Sequence, residues 1–308
     1  MLLPFIISLN TNQAASFVTF YHDNKGMIEG NLLKYGAVKF QNLPVKTLDD
    51  FQQITNSISD KFINYIDGNS PRTKLTSNVY TSTEYDKSQV ITMHNELSYS
   101  PQWPNQLYFT CLDLAETGGE TLLADSREIL AAMDKEIVEE VRRKGVKYIR
   151  NLHGGRGMGP SWQETFETED KKLVEKYCSQ NGVNYTWNEY NSLSIIYATK
   201  GVIQHRESNE SVWFNQINQF HPSQLATDLY EALQLMYDQS SDFPTYVRFG
   251  DDTVITEEMV TEINKTIETV TLYPSWGIDE LLIVDNELVA HGRNSYTGDR
   301  KVLVSMAK

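Results

Sequence analysis

Three potential metal ligands, divided between two distant parts of the chain, constrain the fold more than any other feature. His94 and Glu96 lie in the first third of the 308-residue sequence, and His291 lies close to its C-terminus. Two imidazoles and one carboxylate can hold a transition metal on one face and leave its other coordination positions open. These side chains meet only in a fold that brings the two ends of the chain into one core.

The local pattern around His94 indicates a strand or the end of a strand. Residues 90–99 alternate in a β-like manner, and residues i and i+2 of a strand face the same side. His94 and Glu96 would then point at one ion. A surface pair is the alternative, because His205-Arg206-Glu207 repeats the spacing in a polar stretch that we interpret as a loop. For His291 the alternative is a buried structural histidine.

Arg300 follows His291 by nine residues and lies just before a predicted final strand. Its planar guanidinium suits a carboxylate, although a solvated turn charge is the simpler interpretation. Taken with the three ligands, Arg300 favours a non-haem Fe(II) centre that holds an acidic cosubstrate.

The elements expected along the chain suggest a mainly β fold with α insertions. Thr47 and Asp50 predict a helix N-terminus, followed by an apolar face that runs from Phe51 to Ile66. Predicted strands lie at 1–9, 34–40, 90–99, 107–114, 146–149, 212–214, 280–284 and 302–306, with a turn at 118–119. Further helices are predicted at 126–143, 169–180, 224–236 and 257–270. Strands at both ends predict a double-stranded β-helix (jelly-roll) core flanked by helices, in a single domain over 1–308 with a helix-containing insertion at roughly 126–275.

Charge and cysteine content limit the partners. The formal net charge of −14 argues against nucleic acid, which needs clustered cations, and against anionic membranes. No segment approaches the roughly 20 apolar residues of a membrane span. Two isolated cysteines, Cys111 and Cys178, do not form a disulfide framework, so a reducing, cytoplasmic location is expected.

An ordered set of short motifs covers almost the whole chain. It comprises Gly36–Phe40, Pro71–Thr73, Val79–Tyr85, Met93–Ser100, Gly118–Thr121, Ala124–Arg127, Trp213–Gln216, Asp285–Asn286 and His291–Arg293. In this set the chain resembles the TauD/TfdA-like superfamily of Fe(II)/2-oxoglutarate oxygenases. The similarity is greatest to the syringomycin-type (SyrP-like) branch of amino-acid hydroxylases.

The resemblance implies roles for particular residues. His94, Glu96 and His291 would be the Fe(II) ligands, Arg300 would pair with the distal carboxylate of 2-oxoglutarate, and Thr121 would hydrogen-bond that cosubstrate. The carboxylate ligand is Glu where Asp is commoner in the superfamily, and Val304 stands where many relatives carry a second Arg. Substrate contacts are expected among residues beside the motifs: Asn95, Ser98, Arg150, Asn151, Asn215 and Arg293.

The implied activity is a dioxygenase reaction that consumes O2 and 2-oxoglutarate and hydroxylates an unactivated C–H bond. The expected substrate is amino-acid-like, free or tethered to a carrier protein, in natural-product biosynthesis. Desaturation or cyclisation at the same iron remains open. Two other classes are a hydrolase that uses the three ligands around Zn(II) and a non-catalytic jelly-roll binding protein.

Overall fold

The structure is a computed structural model that describes residues 3–308. Its strands, in chain order, are β1 (Phe5–Ser8), β2 (Ala37–Gln41), β3 (Val79–Thr81), β4 (Ile91–His94), β5 (Gln106–Asp113), β6 (Thr117–Gly118), β7 (Thr121–Asp125), β8 (Val146–Leu152), β9 (Asn184–Trp187), β10 (Leu193–Thr199), β11 (Val202–Gln204), β12 (Ser211–Trp213), β13 (Thr245–Phe249), β14 (Glu280–Asp285), β15 (Val289–Arg293), β16 (Tyr296–Thr297) and β17 (Lys301–Ala307).

The α-helices are α1 (Thr11–Ala15), α2 (Phe17–Asp23), α3 (Lys25–Tyr35), α4 (Leu48–Ile58), α5 (Ser126–Ala132), α6 (Lys135–Lys144), α7 (Trp162–Phe166), α8 (Lys171–Gln180), α9 (Ile217–Phe220), α10 (Thr227–Met236) and α11 (Glu257–Val270). None of the helices in the described part of the chain is long and apolar enough to cross a membrane.

Two sheets position the residues of interest. The larger sheet has the strand order β1-β2-β14-β5-β17-β3, and the smaller has the order β4-β15-β7. Strand β14 is buried along its whole length between β2 and β5, as its apolar run Leu281–Val284 requires. After a short turn the chain leaves the larger sheet and enters the smaller one as β15. The two sheets are therefore connected directly beside His291.

The alternation of side chains along β14 separates two parts of the core. Leu281 and Ile283 pack in a cluster with Phe17 and Leu32 of the N-terminal helices. Leu282 and Val284, on the opposite side of the same strand, pack in the main cluster. The N-terminal helices cover one face of the large sheet, so the other face is available to the site.

The segment 126–275 supplies a third, four-stranded sheet and most of the helices. Strands β13, β8, β10 and β9 pair in that order, all antiparallel, and helices α5 to α11 lie in the same segment. Two small antiparallel pairs, β11 with β12 and β6 with β16, complete the pattern. The architecture is a mixed α/β fold with several sheets. Helices and additional sheets make up more of the structure than the predicted mainly β fold.

The predicted capping box at the start of α4 is confirmed. The Thr47 hydroxyl accepts from the backbone N–H of Asp50 at 3.1 Å, and the Asp50 carboxylate accepts from the Thr47 N–H at 2.9 Å. The extension of this helix to Ile66 is wrong, because Ser59 is extended and the helix ends at Ile58. Phe62 instead bridges to Ala307, at the end of β17.

Three other predicted elements also differ from the structure. Residues 34–35 end α3, and Gly36 adopts a left-handed conformation with φ 76° that stops the helix before β2. The single helix predicted over 126–143 is two helices, because Met133 is extended and Asp134 starts a new N-cap. The strand predicted over 90–99 ends at His94.

Removal of the α4 capping box provides a test of local stability. We expect Thr47→Ala to lower the free energy of unfolding by about 1 kcal/mol, since one N-terminal donor of the helix loses its acceptor. Urea denaturation followed by circular dichroism measures the change. Gln53→Ala, on the exposed side of the same helix, is the control and should change stability by less than about 0.5 kcal/mol. Equal losses in the two variants would contradict the capping role.

Candidate metal centre

The pairing of β4 with β15 places two histidines side by side. His291 is directly opposite His94 in the antiparallel register, and their ring centroids are 4.5 Å apart. Glu96 lies two residues beyond the end of β4, with its carboxylate Oε2 at 3.7 Å from Nε2 of His291. One ligand atom from each of the three side chains lies within 4.8 Å of the others, and all three residues are buried.

Glu96 reaches this position from a turn and not from a strand. The residue after it, Leu97, has a φ of 55°, which turns the chain away from the sheet. The fully buried Asn286 fixes the turn: its Oδ1 accepts from the N–H of Glu96 at 2.7 Å. Its Nδ2 donates to the carbonyls of Glu96 and Pro104, both at 2.9 Å. Asn286 follows β14 directly, so the connection between the two sheets also orients the carboxylate.

Burial determines the protonation of the imidazoles. The pKa of His94 lies below its ordinary value, chiefly because the charged form would lose its hydration. The pKa of His291 is lowered further by burial and by the neighbouring His94 and Arg72. Both rings are therefore neutral at pH 7, which is the form that binds metal. Nδ1 of His94 donates to the Thr92 carbonyl at 2.8 Å and leaves Nε2 as the free ligand atom.

A narrow cavity opens beside the three ligands. His94, His291, Thr121 and Arg300 all line it, together with Phe109 from the larger sheet. The cavity thus brings together the two histidines and both residues for which the resemblance implied a cosubstrate role. Its walls come from both sheets.

Arg300 is largely buried in this cavity without an acidic partner. Its Nε donates to the carbonyl of Gly119 at 2.8 Å, and its Nη1 approaches the Ser82 hydroxyl at 3.4 Å. Within residues 3–308 no carboxylate lies within ion-pair distance of it. Burial lowers its pKa to about 10, so it remains a cation at neutral pH. A largely buried cation in a cavity without a counter-charge fits an anionic ligand.

The Gly118-Gly119 turn explains how Arg300 is held. Gly119 has a φ of 73°, and a Cβ atom there would lie 3.0 Å from Cδ of Arg300. The residue must therefore be small for the arginine to lie against its backbone. Where the turn was predicted, Gly118 ends strand β6 and Gly119 follows it, both with positive φ, and the Gly119 carbonyl orients the guanidinium.

Sequence reasoning did not identify Arg72 as a site residue. Its Nη2 lies 2.5 Å from Oε2 of Glu96, and both side chains are about 3% exposed. Burial opposes the charge of Arg72, but Glu96 and Tyr65 outweigh it and raise its pKa above the ordinary value. Arg72 follows a polar stretch with little regular structure, which resembles a surface loop in sequence. The sequence placed Arg72 in the Pro71–Thr73 motif but assigned it no role in the site.

Five residues expected near the substrate do not line the narrow cavity, and they bond within the protein or are enclosed by it. Arg150 binds Asp67, with Nη1 at 2.8 Å from Oδ1. Asn95 donates to the carbonyl of Asn286 at 2.7 Å, Asn151 donates to two backbone carbonyls, and Asn215 donates to that of Gly201. Ser98 is buried, and its hydroxyl has no partner in residues 3–308. A substrate contact by any of them stays a prediction.

Arg293 does line the narrow cavity, but its guanidinium is engaged elsewhere. It donates to the carbonyls of Thr83, Tyr85, Asp86 and Gln89, at 2.8–3.4 Å. These contacts hold the 83–89 loop against β15. A direct contact of Arg293 with substrate also stays a prediction.

The second His-x-Glu spacing forms no metal group in the described residues, which agrees with the loop interpretation. His205 is buried against Asp285, with Nε2 to Oδ2 at 3.2 Å, and begins a turn. Arg206 pairs with Asp285 at 2.5 Å, whereas Glu207 is exposed. His205 and Arg206 therefore stabilise the chain beside the end of β14.

The donor set and the cavity define a class of protein. Two neutral imidazoles and one carboxylate fit a mononuclear Fe(II) site with open positions. The unpaired Arg300 beside them fits the far carboxylate of a keto acid that chelates such a metal. Fold and site together are those of a non-haem iron oxygenase.

Known proteins agree with this class. A dapdiamide synthesis protein, DdaC, of Enterobacter agglomerans is 31% identical over 301 residues, which cover 98% of this chain and 90% of that protein. A clavaminate synthase-like protein of Arabidopsis thaliana is 28% identical over 292 residues, which cover 92% and 85%. The structure of asparagine oxygenase in complex with Fe(II), 2S,3S-3-hydroxyasparagine and succinate has a TM-score of 0.58 at 13% identity, covering 98% of this chain and 93% of that one.

The chain belongs to the family described as taurine catabolism dioxygenase TauD, TfdA family, whose model matches residues 14–306. It is an Fe(II)- and 2-oxoglutarate-dependent dioxygenase. Of the classes left open by the sequence, the oxygenase is therefore the correct one, and the zinc hydrolase and the binding protein are not.

The role of Asn286 gives a stability prediction. Asn286→Ala removes three buried hydrogen bonds and leaves the Glu96 N–H without its acceptor, so we expect a loss of about 2–4 kcal/mol. Fe(II) affinity should also fall, because Glu96 loses its fixed position. Urea denaturation and anaerobic Fe(II) titration measure the two effects. Asn188→Ala, at an exposed asparagine, is the control; a similar loss there would contradict the role of Asn286.

The buried histidines give a pH prediction for the metal-free protein. Both bind protons more weakly in the folded state than in the unfolded chain, where the pKa is about 6.5. Their contribution to stability is therefore fully present above about pH 6.5 and is lost as the pH falls below it. We expect the urea midpoint to decrease from about pH 7 to about pH 5. The decrease should be smaller in a His94→Gln, His291→Gln double variant, and an equal decrease would be contrary to this account.

Proposed function

We propose that His94, Glu96 and His291 hold Fe(II), and that Arg300 and Thr121 bind 2-oxoglutarate in the adjoining cavity. The observation that carries the proposal is the position of Arg300, a largely buried cation without an acidic partner among the described residues, in the cavity that His94 and His291 also line. With Fe(II), 2-oxoglutarate and O2 bound, the centre supplies the oxidising power for C–H oxidation.

The chain's own residues orient the reactants and limit water. Asn286 and the β4–β15 pairing fix the three ligands on one side of the metal position. Arg300, held by the Gly119 carbonyl, would orient the far carboxylate of the keto acid in a partly desolvated cavity, where the charged hydrogen bonds are stronger than in water. Phe109 and Val302 give the cavity an apolar wall.

For the reaction we propose hydroxylation of an amino-acid-like substrate, free or presented by a carrier protein, in natural-product biosynthesis. Two comparisons support this. One relative is named for dapdiamide synthesis, and the asparagine oxygenase structure contains a hydroxylated amino acid with succinate. Desaturation or cyclisation at the same centre is the second candidate.

Three further expectations stay predictions. They are membership of the syringomycin-type branch, the cytoplasmic location and the limits of one domain over 1–308.

We also propose that the larger and smaller sheets are the two walls of a double-stranded β-helix. The direct passage from β14 to β15 across the two sheets and the location of the ligands between them support this arrangement. A jelly roll with the metal centre between its walls would explain how His291 meets His94 and Glu96, which precede it by 197 (291 − 94) and 195 (291 − 96) positions.

Anaerobic titration with Fe(II) and then 2-oxoglutarate tests the assignment. Chelation of an open Fe(II) site by the keto acid should give a weak visible charge-transfer band, and His291→Ala should abolish it. Iron binding without the band would exclude the cosubstrate roles of Arg300 and Thr121.

Arg300→Gln should separate the cosubstrate from the metal. Loss of the charge-assisted pair predicts an affinity for 2-oxoglutarate that is about 10–100-fold weaker, with Fe(II) affinity little changed. The half-saturation point of the charge-transfer band measures it. Arg142→Gln, which removes an exposed arginine, is the matched control and should leave the titration as in the native protein.

A further inference from the structure

A second, larger cavity of about 750 Å³ lies beside the metal centre. Of the described residues, Arg72 alone lines both this cavity and the narrow one. Because Arg72 also contacts Glu96, the larger cavity ends at a side chain in direct contact with the metal site. A molecule in this cavity would therefore meet Arg72 at the end that lies nearest to the ligands.

The guanidinium of Arg72 is held in place, but two of its hydrogen-bond donors have no partner in the described part of the chain. Nη2 is bound by Glu96, and the guanidinium carbon lies 4.5 Å from the centre of the Tyr65 ring. Nε and Nη1 are buried and have no hydrogen-bond partner in the described part of the chain. Buried donors without partners are rare in proteins because each loses its hydration without compensation. Arg72 has two such donors on one guanidinium beside a cavity. Their position points to an acceptor that binds there.

The surrounding residues hold Arg72 in this position. The Tyr65 ring lies so close to Gly68 that a Cβ atom there would be 2.0 Å from Cε1 of the ring. The hydroxyl of Tyr65 accepts from the N–H of Ser70 at 3.2 Å. Asp67, in the same segment, is fully buried and ion-paired with Arg150. The segment that leads to Arg72 is thus fixed at several points before any ligand binds, which reduces the ordering cost of binding.

The remaining charges of the larger cavity are acidic. Glu84, Glu164 and Glu167 line it and are exposed, and Arg72 is the sole cation among the described residues of its lining. An anion would be attracted only at Arg72, whereas a protonated amine would be favoured on the acidic side. A ligand with one group of each kind matches this distribution, and a dianion does not.

We propose that Arg72 binds the carboxylate of a zwitterionic substrate, an amino acid or a short peptide, whose amino group lies toward the acidic side of the larger cavity. The inference rests on the proposed function and deepens it, because it names the recognised group and the residue that recognises it. The carboxylate would accept from Nη1, which has no partner in the described part of the chain, while Nη2 stays on Glu96. Arg72 is then a binding residue that also contacts a metal ligand. The cavity volume lies in the range of sites for ligands larger than a single amino acid, so short peptides belong among the probes.

The test compares free carboxylates with neutral counterparts. The Fe(II)- and 2-oxoglutarate-loaded enzyme is supplied with the standard L-amino acids and their glycyl dipeptides, each also as the C-terminal amide and as the N-acetyl form. Succinate formation above the substrate-free rate is measured. We expect at least one free zwitterion to stimulate about 10-fold or more, and its amide and N-acetyl forms to stimulate far less.

Variants of Arg72 separate recognition of the carboxylate from positioning of Glu96. For the stimulating compound, Arg72→Gln should raise the half-maximal concentration about 10–100-fold, and Arg72→Lys should recover part of the loss. The preference for acid over amide should disappear in Arg72→Gln. If Arg72 only positions Glu96, the variant weakens the Fe(II)–2-oxoglutarate charge-transfer band and leaves that preference unchanged, which overturns the proposal.

The comparison in the native enzyme is decisive even where a variant does not fold. Amides that stimulate as well as acids, or a panel in which no compound stimulates, would overturn the carboxylate assignment. N-acetyl forms as effective as free amines would overturn the zwitterion assignment. Absence of the charge-transfer band in the native protein would instead refute the proposed function itself, so the two failures are distinguishable.

Discussion

The pairing of β4 with β15 is the interaction on which the rest of the site depends. It sets His94 directly opposite His291 and brings the turn after β4 against the turn after β14. Asn286 joins these two turns through two hydrogen bonds to the backbone of Glu96 and donates a third to the Pro104 carbonyl. Because side chains on paired strands have fixed spacing, the metal position is determined by backbone geometry more than by the flexible ends of side chains.

The second main feature of the structure is positive charge with little solvent exposure beside the metal ligands. Arg300 and Arg72 both line the narrow cavity with His94 and His291. Arg300 pairs with no carboxylate of the described chain, and Arg72 pairs with Glu96 but keeps two donors without a partner there. Such groups cost stability in the free protein and are useful when a charged ligand satisfies them. The two arginines differ in their surroundings: Arg300 lies in the narrow cavity with Thr121, whereas Arg72 also borders the wide cavity with acidic residues. This difference is the basis for the proposed assignment of Arg300 to a keto acid and of Arg72 to a zwitterion.

Much of the framework could be predicted where a local pattern has a local cause. The capping box at Thr47 and the apolar strands β5, β14 and β17 follow from short-range chemistry. Helix α3 was missed because Gly26 and Gly30 weaken its helical pattern, although Ile28 and Leu32 pack in the core. The strand at 90–99 was drawn too long, since its β-like pattern continues into a turn that Asn286 stabilises from 190 positions away.

The sequence by itself determined which chemistry was available: two histidines, a glutamate and an arginine in motifs that resemble one family. The tertiary structure decided which groups act together. Arg72 lies in a polar segment, and the Pro71–Thr73 motif gave it no role. Its contact with Glu96 and its position in the lining of two cavities come from the tertiary structure. Conversely, Arg150 and Asn95 lie beside informative motifs but bond within the protein. The burial of a side chain and its hydrogen-bond partners depend on contacts between residues far apart in the chain. A local sequence pattern does not contain that information.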